Sequence, residues 1–135
     1  MKLRESILFA DSLKPNAFTE EQKLLWLNEL EGRIQSLIHG FDSDKVIRYT
    51  LPEDEERELI VPSPYDSVYW KWLCAMIDYA NGEYDKYINS QISANSVYQD
   101  YAKWVIRTGY ELPQKEEEEM PDDPDEGLEG VLPGE

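Results

Sequence analysis

Apolar positions recur at three- and four-residue steps through most of this chain, so it reads first as a set of helices. Residues 2–13 give a short one, with Leu3, Ile7, Leu8 and Ala10 to bury. Lys14-Pro15-Asn16 breaks it, because proline cannot continue a helix and biases its predecessor toward extended geometry. Thr19-Glu20-Glu21-Gln22 then reads as a capping box, in which the Thr19 hydroxyl accepts a backbone N–H and Gln22 reaches back. A helix from about Glu20 to Ile38 follows, with Leu27, Leu30, Ile34, Leu37 and Ile38 as its buried stripe and Gly40 beyond its end.

The pattern then changes. Val46-Ile47-Arg48-Tyr49-Thr50-Leu51 and Glu58-Leu59-Ile60-Val61 are β-branched and aromatic, and the acidic Pro52-Glu53-Asp54-Glu55-Glu56 separates them. This predicts a β-hairpin or a pair of extended arms over about residues 45–62, with a solvated acidic tip. Two strands alone are marginal, so they must pack on the helices or pair with another chain. Pro62 and Pro64 close the region.

Asp66 can cap a third helix, about Ser67 to Tyr79. It is nearly apolar all round: Val68, Tyr69, Trp70, Trp72, Leu73, Met76, Ile77 and, just beyond, Ala80. Such a helix is either central in its own fold or covered on its second face by a partner. Asn81-Gly82 supplies the left-handed geometry of a helix end. A fourth helix runs from about Glu83 to Arg107, with Tyr84, Tyr87, Ile88, Ile92, Tyr98, Tyr101, Ala102 and Val105 on its apolar side. Its polar middle, Asn89 to Ser96, suits water or a subunit contact, and Gly109 ends it. From Leu112 onward, proline, glycine and acid runs predict an extended or disordered tail. The expected fold is therefore mainly α: a small bundle of about four helices over residues 1–110, a hairpin or arm insertion, and an acidic extended tail over residues 111–135.

Composition narrows the class. A chain of 135 residues with 41% hydrophobic and 12% aromatic residues is expected to be one globular domain rather than disordered. No apolar run approaches the roughly 18 residues of a membrane span. The N-terminus has only Ile7 to Ala10 as an apolar run, followed by Asp11, and does not read as a signal peptide. The single cysteine, Cys74, lies in an apolar helix pattern, where a buried thiol is expected. The net charge of −16 is concentrated at the end: residues 111–135 carry 11 acids and one lysine, while residues 1–110 carry 18 acids and 12 bases. So acidic a chain should not grip a phosphate backbone, which requires Lys and Arg to displace counterions. It can repel DNA nearby or meet a basic protein surface.

The search for chemistry argues against an enzyme. One histidine, His39 beside Gly40, reads as a surface or helix-end residue, and without a second His or Cys a zinc site is implausible. Asp122-Asp123-Pro124-Asp125-Glu126-Gly127 fails as a calcium loop, with Pro124 at position three and Pro133 at position twelve. Phosphate-binding glycine motifs are missing. No nucleophile–base pair stands out, and the acids sit in solvated runs that would not raise a carboxyl pKa. Trp70, Trp72 and Trp104 lack the basic groove of a single-strand binder, so they are expected in core or interface packing. No cofactor or metal is expected.

Several strings carry a family resemblance over about residues 11–108. They are Leu13-Lys14-Pro15-Asn16, Trp26-Leu27-Asn28-Glu29-Leu30-Glu31-Gly32-Arg33-Ile34, Leu59-Ile60-Val61-Pro62 with Pro64-Tyr65-Asp66, and Ile77-Asp78-Tyr79-Ala80-Asn81-Gly82-Glu83-Tyr84-Asp85-Lys86-Tyr87-Ile88-Asn89-Ser90. In this order they resemble the small head–tail connector, or adaptor, proteins encoded beside the capsid genes of long-tailed phages and prophages of Gram-positive bacteria. The resemblance implies a mostly helical structural subunit of the virion neck, assembled in the host cytoplasm. It implies a homo-oligomeric ring, typically of twelve copies, that lies beneath the portal protein and joins it to the next tail-ward connector. DNA would pass nearby without being specifically bound. The tail after Leu112 is longer than the resemblance leads one to expect.

The expected contact residues for such assembly are Val46, Ile47, Tyr49, Leu59, Ile60 and Val61 in the arm, Trp70 and Trp72 on the third helix, and Met120, Leu128, Val131 and Leu132 in the tail. The tail has two readings of equal standing: docking as an extended strand on a neighbour, or solubilising the subunit without a partner. Two other functions fit parts of the chain. An acidic DNA mimic inhibiting a host factor would want its acids arrayed over the folded body, whereas here they crowd the tail. A helical protein–protein adaptor is suggested by Asn81-Gly82-Glu83-Tyr84, which resembles a tetratricopeptide turn, but a solenoid needs about three such units.

Overall fold

The computed structural model describes residues 1–112, and they form a mainly helical fold. The helices are α1 (Leu3–Leu13), α2 (Glu20–Arg33), α3 (Ser67–Ala80) and α4 (Tyr84–Thr108), with a π-helical turn at Ile34–Ile38 and a short 3-10 turn at Ser43–Lys45. The expected contacts Met120, Leu128, Val131 and Leu132 lie outside the described residues.

α3 is the central element and packs against each of the other three helices. This accounts for its all-round apolar sequence: Val68, Tyr69, Leu73, Cys74, Ala75 and Ile77 are all buried. Leu3, Ile7 and Ala10 from α1, Leu27 and Leu30 from α2, Ile34 from the π turn that continues it, and Tyr101 and Val105 from α4 complete the core around it. Asp78, near the C-terminal end of α3, ties three helices together. Its Oδ2 meets Lys14 Nζ at 3.2 Å and accepts from Ser90 Oγ at 2.7 Å.

The ends of the elements follow local chemistry. Thr19 Oγ1 accepts the Gln22 N–H and caps α2, which is half of the expected capping box; among the described residues the Gln22 side chain makes no return bond to Thr19. Asp66 does not cap α3; its carboxylate takes the Met1 ammonium at 3.3 Å. Gly82 (φ 73°) and Gly109 (φ 68°) supply left-handed turns after α3 and α4.

α2 departs from its expected stripe at the C-terminal end. The His39 N–H reaches back five residues to Ile34 O, and this wider turn rotates Leu37 into solvent, where it is 69% exposed. Leu8, expected inside, is likewise on the outer face of α1.

Between the 3-10 turn and α3, residues 46–66 cross the bundle. Among the described residues no two strands pair, and an isolated antiparallel bridge joins Lys2 to Glu58. Instead the arm is clamped from two sides. The N–H groups of Leu3 and Arg4, free at the start of α1, donate to Arg57 O and Glu55 O at 2.9 Å each. Lys2 and Arg4 pair with Glu56 and Glu55, so the acidic tip leans on α1. The other clamp is α2.

Candidate interaction surface

One face of α2 fixes the arm with polar side chains. Asn28 forms a two-point bond with the main chain of Tyr49: Nδ2 donates to Tyr49 O at 3.1 Å and Oδ1 accepts Tyr49 N–H at 2.9 Å. Two turns along, Gln35 does the same to Ile47, accepting its N–H at 2.8 Å and donating to its carbonyl at 3.1 Å. Side-chain amides thus supply the donor and acceptor that a neighbouring strand would supply.

Glu31 lies between them and is fully buried. Its Oε2 accepts from the Tyr49 hydroxyl at 2.6 Å and from the Ile60 N–H at 3.1 Å, and its Oε1 accepts from the Tyr69 hydroxyl at 2.6 Å. Burial raises the Glu31 carboxyl above its ordinary value, while these three donors act to lower it. The same environment pushes both tyrosine hydroxyls up, through burial first and then the Glu31 charge.

This arrangement changes the standing of the expected contact residues. Of the two ways in which the arm could be covered, packing on the helices is the one observed: Tyr49, Leu59 and Val61 are buried in the core, and Val46, Ile47 and Ile60 are half-buried beside it. Their partners are α2 and α3. Trp70 packs edge-on against Phe9, with ring centroids 4.9 Å apart. Trp72 donates its indole N–H to Trp26 O at 2.9 Å and keeps one face toward solvent beneath the Arg33 guanidinium.

An uncovered apolar row lies elsewhere. Tyr84, Ile88 and Ile92 stand four residues apart on α4 and, with Tyr79 at the end of α3, are each between 53% and 60% exposed. Tyr79 joins the stripe through rings 5.8 Å from Tyr84 and 5.1 Å from Tyr87. Period alone placed Tyr84, Ile88 and Ile92 on the apolar side of α4. It could not show that the core takes only the second half of that side. The stripe falls on the first turns of α4, beside the end of α3.

Beside this stripe, α2 and α4 diverge over α3 and leave a groove of about 390 Å³. Val68, Trp72 and Ala94 form its floor, and Arg33, Gln91, Asn95 and Gln99 are on its walls. A second depression of about 500 Å³ lies near the end of α4, lined by residues that include Ile38, His39, Phe41, Lys45, Tyr110 and Leu112. His39 does not sit free there. Its Nε2 is 2.7 Å from the Tyr101 hydroxyl, and burial lowers its pKa, which favours the neutral ring. Cys74 is buried and its thiol is pushed up to about 11, chiefly by desolvation. Neither residue has the partner set that nucleophilic catalysis needs. Among the described residues no three His, Cys, Asp or Glu side chains converge as metal ligands, and no helix is long and apolar enough to cross a membrane.

Comparison with family models, with curated proteins and with solved structures finds no match to this chain.

Proposed function

We propose that this chain is a structural subunit that works by assembly, a head–tail connector whose copies form a ring beneath a portal and join it to the next tail-ward component. The observation that carries the reading is the uncovered stripe of Tyr79, Tyr84, Ile88 and Ile92. A contiguous apolar row beside exposed polar amides and hydroxyls is a surface built to be covered. Its position on one side of the bundle suits a heterologous contact, in which two different patches of each copy meet and a closed ring results. The resemblance of its strings to connector proteins supplies the setting, and the acidity of the chain suits a wall that DNA passes without binding.

Native mass spectrometry of the purified chain, alone and mixed with a candidate portal protein from the same genome, tests the proposal. A closed ring, of twelve copies by the resemblance, or a stoichiometric portal complex is the expected result. A chain that stays monomeric under both conditions overturns it.

A further inference from the structure

The three amides on the α4 wall of the groove, Gln91, Asn95 and Gln99, repeat at four-residue steps and are all exposed. Among the described residues none of them bonds to another side chain or to the main chain. Within the same molecule, Asn28 and Gln35 show what amides on one helix face can do, since each grips one main-chain residue of a non-helical segment at two points. The groove therefore has the chemistry to hold an extended segment: amides for its main chain, and Trp72, Leu37 and Val68 for its apolar side chains.

We propose that the occupant is this chain's own C-terminal segment, residues 113–135. The described chain stops at Leu112, which lines the neighbouring depression together with Ile38 and Val105. Leu37, adjacent to Ile38, already belongs to the groove. From Val105 back to Gln91 is about 21 Å along α4 at 1.5 Å per residue. An extended chain of about 3.3 Å per residue brings Glu116–Glu119 to roughly 13–23 Å beyond Leu112 and Met120 to about 26 Å. The acids thus come level with the groove and Met120 with its far end.

Charge fits the same placement. Arg33 is the one charged residue lining the groove, which holds no acid although the chain carries 29. The segment brings Glu116–Glu119 and six further acids against one base, Lys115. The short span also gives a high effective concentration, which favours the same copy over a neighbour. The inference is independent of the ring: it holds for a single copy in solution.

Disulfide trapping in the full chain tests it, with Gln91→Cys and Met120→Cys together and Leu8→Cys with Met120→Cys as the control. Cys74 is buried and does not compete. The groove pair is expected to close within one chain about tenfold faster than the control, at a rate independent of protein concentration. Arg33→Glu, at an exposed position, should slow it several-fold while Arg33→Lys does not. Equal rates for the two pairs, or a rate indifferent to Arg33→Glu, overturn the assignment. Disulfide-linked dimers whose share grows with concentration would give the groove to a second copy's tail and equally overturn it.

Discussion

The hydroxyl of Tyr69 donates to Glu31 Oε1 at 2.6 Å while its oxygen accepts the Val61 N–H at 2.9 Å. One phenol thus links a buried carboxylate on α2 to the main chain of the arm. Glu31→Ala would leave two hydroxyls and the Ile60 N–H without their acceptor in a dry site. A loss on the order of 3–5 kcal/mol in chemical denaturation is expected. A loss below about 1 kcal/mol would mean that water satisfies these donors.

The same carboxyl gives a pH signature. Burial raises its folded pKa above the ordinary value of 4.5, so the folded state holds the Glu31 proton more tightly than the unfolded chain. Its contribution to stability is fully present below that unfolded value and is lost as pH rises through the folded one. The stability of the parent chain minus that of Glu31→Gln should therefore fall as pH is raised from about 4. A difference that rises over this range would show that the three donors outweigh desolvation.

The amide clamps act locally. Asn28→Ala should cost about 1–3 kcal/mol and remove hydrogen-exchange protection at the Tyr49 amide; Gln35→Ala should do the same at Ile47. Unchanged exchange at these two amides would refute the clamp.

Ile77 is 1% exposed at the centre of the bundle. Ile77→Asp places an unpaired charge there and costs several kcal/mol, of the order of the whole stability. Circular dichroism should show loss of the cooperative melt; a soluble, cooperatively melting variant would contradict the packing.

Ile88→Glu with Ile92→Glu probes the uncovered stripe. Both positions are more than half exposed, so thermal stability should change by no more than about 0.5 kcal/mol per site. Assembly with copies or with the portal should be abolished. Normal assembly of this double variant would move the contact to another face.

The helices were legible because three- and four-residue spacing reports a buried face directly. It identified Leu27, Leu30 and Ile34 on α2, and the continuous apolarity of α3 pointed to a central helix. What was not legible on α2 is the polar half of the same face. Asn28, Glu31 and Gln35 interleave with the apolar positions at steps of three and four, but a search for hydrophobic periodicity passes over them. Their spacing on a buried stripe was the available signal. Leu37 was misplaced because a π turn breaks the 3.6-residue period that the prediction assumed. The β-branched run Val46–Leu51 carried no information on its partner, which is a set of side chains and not a strand.

Asn28 and Gln35 grip the arm at residues 47 and 49 by its main chain, so these two holders do not read the side chains there, whereas Glu31 reads the Tyr49 hydroxyl. The information that fastens it is written in α2. Substitutions at the exposed Arg48 can accumulate without unhooking the segment, whereas one change at position 28 or 35 loosens it locally with no alteration in the arm itself. A single inserted residue in α2 between them would turn one amide about 100° away from the other and separate the two grips. Sequence drift in this molecule is therefore expected to be lopsided: tolerated at the outward positions of the arm, and resisted in a helix whose length and polar spacing are held fixed.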